Sequence, residues 1–171
     1  TGSNLIKFVA IGLPDEVYLI RINNSDTLIN SNKYLSKELL FKRLNELFQD
    51  NKIEKIGFGL KDSWTYLSND TNFFHPPYFD VQIASYLLDP SQDNFHLNRI
   101  IGDSLIAKND DDIYAAVQGK YLEREEEICW QAKSLLTLKE ILWEQLSAQS
   151  MDKLYLDVEL PLIKVIYLME K

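Results

Sequence analysis

Lys55-Ile-Gly-Phe-Gly-Leu-Lys-Asp-Ser-Trp-Thr-Tyr-Leu67 opens with a short apolar run and continues at helical spacing. Lys55 to Phe58 has the look of an interior strand, and a short helix through Trp64 and Leu67 follows it. His75-Pro76-Pro77 breaks that helix. Tyr78-Phe79 then ends a brief strand, Asp80 caps a helix from Val81 to Leu88, and Asp89-Pro90 closes it. Strands and helices therefore take turns along the chain, which places it in the α/β class.

Upstream, Leu5 to Leu13 reads as a largely buried strand and Glu16 to Ile22 as a second one. Pro14-Asp15 supplies turn chemistry between them, so the pair is expected to form an antiparallel hairpin. Asn23 to Lys33 is polar and loop-like. Ser36 is a good N-cap for a helix reaching about Asp50, with Leu40, Leu44, Leu47 and Phe48 on one face. Downstream, Asn94 to Ile101 is expected to be a short helix. Asn109 to Asp112 is either a charged loop or the cap of a helix over Ile113 to Val117. Glu123 to Ala148 is the longest helical stretch, with Ile128, Leu135, Leu138, Leu142 and Leu146 inward. A final helix begins near Asp157, with Pro161 in its first turn. Ile163, Val165, Ile166, Leu168 and Met169 would leave that helix an apolar surface, as though it had been cut from something longer. Thr1-Gly2 reads as a tag remnant.

The 171 residues are 46% hydrophobic and 26% charged, which fits one folded domain and argues against disorder. No apolar run is long enough to span a membrane and no leader is visible, so a cytoplasmic home is expected. One cysteine, Cys129, cannot form an internal disulfide, and its mid-helix place beside Trp130 suggests a buried structural thiol. The net charge of −8 makes the domain a poor binder of polyanions by itself. His75 and His96 sit at no ligand spacing from each other or from Cys129, which argues against zinc. Gly57-Phe58-Gly59 lacks the third glycine of a dinucleotide loop, and Asp110-Asp111-Asp112 is more simply a solvated loop than a cation site.

Taken together, Lys55 to Leu67 and Phe79-Asp-Val-Gln-Ile-Ala-Ser-Tyr-Leu-Leu-Asp-Pro90 resemble the 3′–5′ exonuclease (proofreading) domain of bacterial DNA polymerase I, a family A polymerase. Phe79-Asp80 with Tyr86-Leu-Leu-Asp-Pro90 carries the most specific part, and the version in low-GC Gram-positive bacteria is especially similar. Asp157-Val-Glu-Leu-Pro-Leu162 looks like the segment by which that domain enters the polymerase region. The resemblance implies a ribonuclease-H-like mixed sheet flanked by helices, with an exonuclease-like domain over 1–153 and the start of the helix leading into the polymerase region over 154–171. It also implies a place in DNA replication and repair.

Active members hold two divalent metal ions with four carboxylates, and the metals activate a water and stabilise the leaving 3′ oxygen. The family's first motif, Asp-x-Glu, would lie on a strand upstream of Leu5 to Leu13, so the first sheet strand is expected to be missing from this chain. Asp15-Glu16 is adjacent rather than alternate, and its side chains would point to opposite faces of a strand. The second motif, Gly-x-Asn-x-Lys-aromatic-Asp, aligns with Gly57 to Ser63. Gly59 stands for the asparagine and Ser63 for the metal-binding aspartate, while Asp62 is one residue early and turned by ~100° on a helix. The third motif, Tyr-x-x-x-Asp, falls on Glu127 and Gln131, a neutral amide in place of a carboxylate.

The resemblance therefore implies a degenerate domain with no catalytic residues, no metal and no cofactor, packed as a scaffold against the polymerase region of its own parent chain. It would meet DNA through the parent and would involve no membrane. Two other readings stand beside it. One is an active exonuclease in which Asp62, Glu127 and an upstream Asp-x-Glu hold the metals. The other is a single-stranded nucleic-acid-binding module stacking bases on Phe58, Trp64 and Tyr66, although apolar neighbours mark these as core aromatics. Glu123 to Glu127 could face a protein partner, but acidic residues at a helix N-terminus are explained by the dipole alone.

Overall fold

A computed structural model of the chain describes residues 6–23, 35–67, 75–93, 95–106 and 124–170. The expected loop from Asn23 to Lys33, the charged run at Asn109 to Asp112, the helix at Ile113 to Val117 and Thr1-Gly2 fall outside these residues, Asn23 itself excepted.

The first two strands, β1 (Phe8–Gly12) and β2 (Val17–Asn23), form the expected antiparallel hairpin, in register from Phe8 opposite Arg21 to Gly12 opposite Val17. The Leu13 N–H closes the turn on the Glu16 carbonyl at 2.8 Å. A short strand β3 (Leu35–Ser36) pairs in parallel with β2, which makes a mixed three-stranded sheet. Ser36 then starts α1 (Lys37–Gln49) as its N-cap, its Oγ accepting from the Leu39 N–H. Leu40 and Leu44 pack under the hairpin with Ile22, while Leu47 and Phe48 are only half-buried.

Strand β4 (Lys55–Gly57) leads into α2 (Leu60–Leu67), and β5 (Tyr78–Asp80) leads into α3 (Val81–Leu88). β4 and β5 are parallel, with Gly57 opposite Asp80, so the two strand-to-helix junctions lie side by side. The described strands thus form two small sheets flanked by helices rather than one continuous sheet.

Helix α4 (Leu97–Ile106) begins three residues later and ends five later than expected. The His96 carbonyl accepts from the Arg99 and Ile100 N–H groups, which fixes the start. Helix α5 (Arg124–Ala148) runs across β1, α3 and α4. It buries Leu138, Ile141, Leu142 and Leu146, whereas the expected Ile128 and Leu135 are half-buried. At Gly12 the hairpin comes so close that a Cβ would sit 2.5 Å from the Ala132 carbonyl oxygen, so only glycine fits.

After α5 the chain turns at Ser150, whose φ of 60° is left-handed, while the Met151 N–H reaches back to the Leu146 carbonyl at 2.8 Å. The last helical segment therefore starts at α6 (Asp152–Leu154), earlier than the expected Asp157. It passes through a π-helical turn (Tyr155–Glu159) and continues as α7 (Leu160–Met169), with Pro161 in its first turn. Ile163 was expected on the exposed surface but is buried. The π turn inserts one extra residue, so the inward positions run Tyr155, Leu160, Ile163 and Tyr167. These join Trp64, Phe79, Ile101 and Leu138 in the main core. No described helix is long and apolar enough to cross a membrane.

Candidate functional site

The residues of the second motif surround the adjoining ends of β4 and β5. Gly59 takes a φ of +61°, a conformation that favours glycine, and a Cβ there would lie 3.0 Å from Gln82 Oε1. This bend turns the chain from strand to helix and aims the first N–H groups of α2 at Asp80. Asp80 is 1% exposed. Its Oδ1 accepts from the Gly59 N–H at 3.2 Å and the Gln82 N–H at 2.9 Å, and its Oδ2 accepts from the Leu60 N–H at 2.7 Å. One carboxylate thus caps two helices, α3 in its own strand's continuation and α2 across the sheet. Each helix start leaves N–H groups without intrahelical partners and carries a positive partial charge, so a buried anion is well placed there.

Burial pushes the Asp80 carboxyl above its ordinary value, against the pull of backbone N–H donors from Leu60, Gly59, Gln82 and Ile83, which favour the ionised form. The backbone of Asp80 is held as well. Its N–H donates to Tyr155 Oη at 2.7 Å, and that hydroxyl donates to the Asp80 carbonyl at 3.2 Å. Burial drives the Tyr155 hydroxyl far above its usual range, so it acts as a neutral group.

The other residues of the motif differ from one another. Asp62 and Ser63 both donate their N–H groups to the Gly59 carbonyl at 3.1 Å, which builds the first turn of α2. The Asp62 side chain is 75% exposed, with Lys61 Nζ at 3.9 Å. Ser63 is half-buried one position on. Lys61 itself turns to the chain's other end, where its Nζ lies 2.8 and 3.0 Å from the Glu170 carboxylate oxygens.

Glu127 and Gln131 stand one turn apart on α5, and Asn98 of α4 bridges them. Asn98 donates to Glu127 Oε1 at 2.8 Å and accepts from Gln131 Nε2 at 2.7 Å. Gln131 Nε2 is also 3.5 Å from Glu127 Oε1. No hydrogen bond or ion pair among the described residues joins this trio to the Asp62–Ser63 turn. Nor do the described residues include a group of three or more His, Cys, Asp or Glu arranged to hold a metal ion. His75 and His96 are exposed, and Cys129 is half-buried rather than fully buried as its helix position suggested.

Of the aromatics, Trp64 is buried against the Tyr78 and Tyr167 rings, at centroid distances of 6.0 and 5.7 Å. Phe58 and Trp130 pack half-buried on the same core. The Tyr66 side chain lies outside the described residues. Sequence reasoning found Asp80 as the cap of α3 but missed its second cap, the Tyr155 clamp and the Asn98 bridge. All three depend on pairs far apart in the chain, and the one available signal was a carboxylate set in an otherwise apolar stretch.

Two comparisons bear on this arrangement. The family model of the DNA polymerase I, ribonuclease H-like domain matches residues 14–121, more than half of the chain and all of the second motif. A DNA polymerase I of Borreliella burgdorferi (strain ATCC 35210 / DSM 4680 / CIP 102532 / B31) is 28% identical over 149 residues. That match covers 81% of this chain and 16% of the relative, so the chain spans a small part of that protein's length. No solved structure gives a significant match. With the paired strand-to-helix junctions, the flanking helices and the matched span in agreement, the chain belongs to the DNA polymerase I, ribonuclease H-like domain family.

Proposed function

We propose that this is a degenerate exonuclease domain of a cytoplasmic DNA polymerase I that keeps the fold, has lost the metal site, and serves as a scaffold for the polymerase region of its parent chain. The observation that carries this reading is that neutral side chains, Ser63 and Gln131, stand where the resemblance places metal ligands. Two divalent cations need anionic oxygen ligands, and a hydroxyl and an amide supply no charge to offset them. The surroundings support the same view. Gln131 is engaged with Asn98, Asp62 points to solvent, and the nearest buried carboxylate, Asp80, is consumed by backbone N–H groups. The burial of Trp64 counts against a base-stacking role.

The test is a 3′-end trimming assay on labelled single-stranded DNA with magnesium and with manganese, using the protein extended upstream by one strand. No trimming under either metal is expected. Trimming abolished by Asp62→Ala would sink the degenerate reading and establish a working exonuclease with a shifted ligand. The scaffold part is tested separately by deleting the domain from the parent. A polymerase region that kept full stability and activity would end it.

A further inference from the structure

Asn98, Glu127 and Gln131 form a polar unit between α4 and α5. Asn98 lies in the first turn of α4, and Glu127 and Gln131 stand one turn apart on α5. Asn98 Nδ2 donates to Glu127 Oε1 at 2.8 Å, and Asn98 Oδ1 accepts from Gln131 Nε2 at 2.7 Å. Both distances are at the short end of the range for N–H···O bonds, and together they use both ends of one amide group. Gln131 Nε2 also lies 3.5 Å from Glu127 Oε1, so this nitrogen sits between two acceptors. The start of α5 is held from the hairpin as well, where Arg21 of β2 grips the Glu125 carboxylate through two nitrogens.

The three side chains differ in what they can offer. An ionised carboxylate only accepts hydrogen bonds, whereas a primary amide has a donor end and an acceptor end. Glu127 therefore decides which way the Asn98 amide points, because the nitrogen must face the carboxylate. The Asn98 oxygen is left facing position 131, and an oxygen there needs a donor. Gln131 supplies it through Nε2. An ionised carboxylate at 131 could not. It would set oxygen against the Asn98 oxygen and add a second negative charge one helical turn from Glu127. The order acceptor, amide, donor thus runs one way through the unit.

We infer that position 131 is a hydrogen-bond donor position rather than a metal-ligand position, and that Asn98, oriented by Glu127, is the positioning residue that makes it so. The inference rests on the degenerate reading above and goes beyond it. Gln131 is then not merely a side chain without charge but a donor with an assigned partner. Its work is to align two helices. Asn98 is tied to α5 at two points one turn apart, which fixes where the start of α4 meets α5 and how it is rotated there. The chemistry of a metal site, which wants oxygen ligands that carry charge, and the chemistry of this unit ask for opposite side chains at the same place.

The experiment follows amide exchange over 124–131 in the full parent protein. Gln131→Glu keeps the side chain's length and removes the donor, and exchange is expected to quicken about fivefold. In an Asn98→Ala background the same change is expected to quicken it by no more than about twofold, the part due to repulsion from Glu127 alone. Glu127→Gln combined with Gln131→Glu keeps the net charge and exchanges the two ends of the unit. The Asn98 amide can turn over to match, so exchange is expected to return to within about twofold of the natural rate. An equal effect of Gln131→Glu with and without Asn98 would overturn the inference, since repulsion would then explain everything. An exchanged variant as fast as the single one would overturn it too. Neither result would touch the degenerate reading. Manganese that slowed exchange at 127–131 in the natural protein would show an ion held there, and the degenerate reading would fall together with the inference.

Discussion

Asp80 and the Glu127–Gln131 pair are both polar groups on the edges of helices, and the fold treats them in opposite ways. Asp80 lies under the surface, with both carboxylate oxygens and both backbone polar groups bonded, to its own helix start and to two other parts of the chain. Glu127 and Gln131 stay near solvent, bonded to one neighbour, Asn98. The positions proposed to have lost metal ligands are thus not the ones that hold the structure. A hydrogen bond near water exchanges for another with water, whereas a buried one leaves its partner stranded when broken. The difference between the two regions is therefore one of burial more than of bond number, and mutation can measure it.

Asp80→Ala should have the largest effect. It removes the side-chain acceptor that the N–H groups of Gly59, Leu60 and Gln82 share and uncaps two helices, which would destabilise the domain by about 3–4 kcal/mol. Urea unfolding of the parent protein measures it, and a loss under about 1 kcal/mol would mean that water replaces the carboxylate. Asp80→Asn is milder and tests the charge. Burial raises the carboxyl's folded-state value above its unfolded one. The stability from this group is then fully present below roughly pH 4 and falls as pH rises through the folded value. The advantage of the natural residue over Asp80→Asn should shrink from acid toward neutral pH. An advantage that grows would show that the backbone donors outweigh burial.

Tyr155→Phe comes next. It keeps the ring against Phe79, at a centroid distance of 5.0 Å, and removes only the hydroxyl that satisfies the Asp80 N–H. One stranded buried donor costs about 1–3 kcal/mol. Thermal unfolding should shift by less than for Asp80→Ala. An equal shift would mean that the clamp, and not the double cap, organises the junction.

Much of this organisation was legible from local pattern. The hairpin turn at Pro14-Asp15, the Ser36 cap and the Asp80 cap are short-range chemistry, and each residue carries its own signal. The same holds for the strand at Lys55 to Gly57, although it pairs with one described strand rather than lying inside a sheet, and for the long helix ending at Ala148. What was not legible arose from pairs distant in sequence. The parallel pairing of Gly57 with Asp80 is what lets one carboxylate reach a second helix. The π turn begins at Tyr155, which is bonded to Asp80 75 residues away, and beyond that turn Ile163 lies in the core rather than on the expected surface. Of the candidate site, the residue types at Ser63 and Gln131 could be read directly, but Gln131's partner Asn98 could not, because α4 and α5 meet only in three dimensions.

The smallest effects belong to the Asn98, Glu127 and Gln131 trio, and they probe the proposed loss of chemistry more directly than the stability of the fold. Gln131→Ala should change stability by at most ~0.5 kcal/mol, as surface substitutions usually do. Gln131→Asp should be worse at neutral pH. It sets a second carboxylate one turn from Glu127 and removes the amide donor that Asn98 accepts. The same change, combined with Ser63→Asp, puts carboxylates at the two positions proposed to have lost metal ligands. If the two motif regions lie too far apart to share an ion, manganese will not raise the melting temperature of the double variant above that of the unchanged protein. A manganese-dependent rise confined to the double variant would show the opposite. The geometry of a metal site would then have outlived its ligands, and the loss of chemistry would rest on two side chains alone.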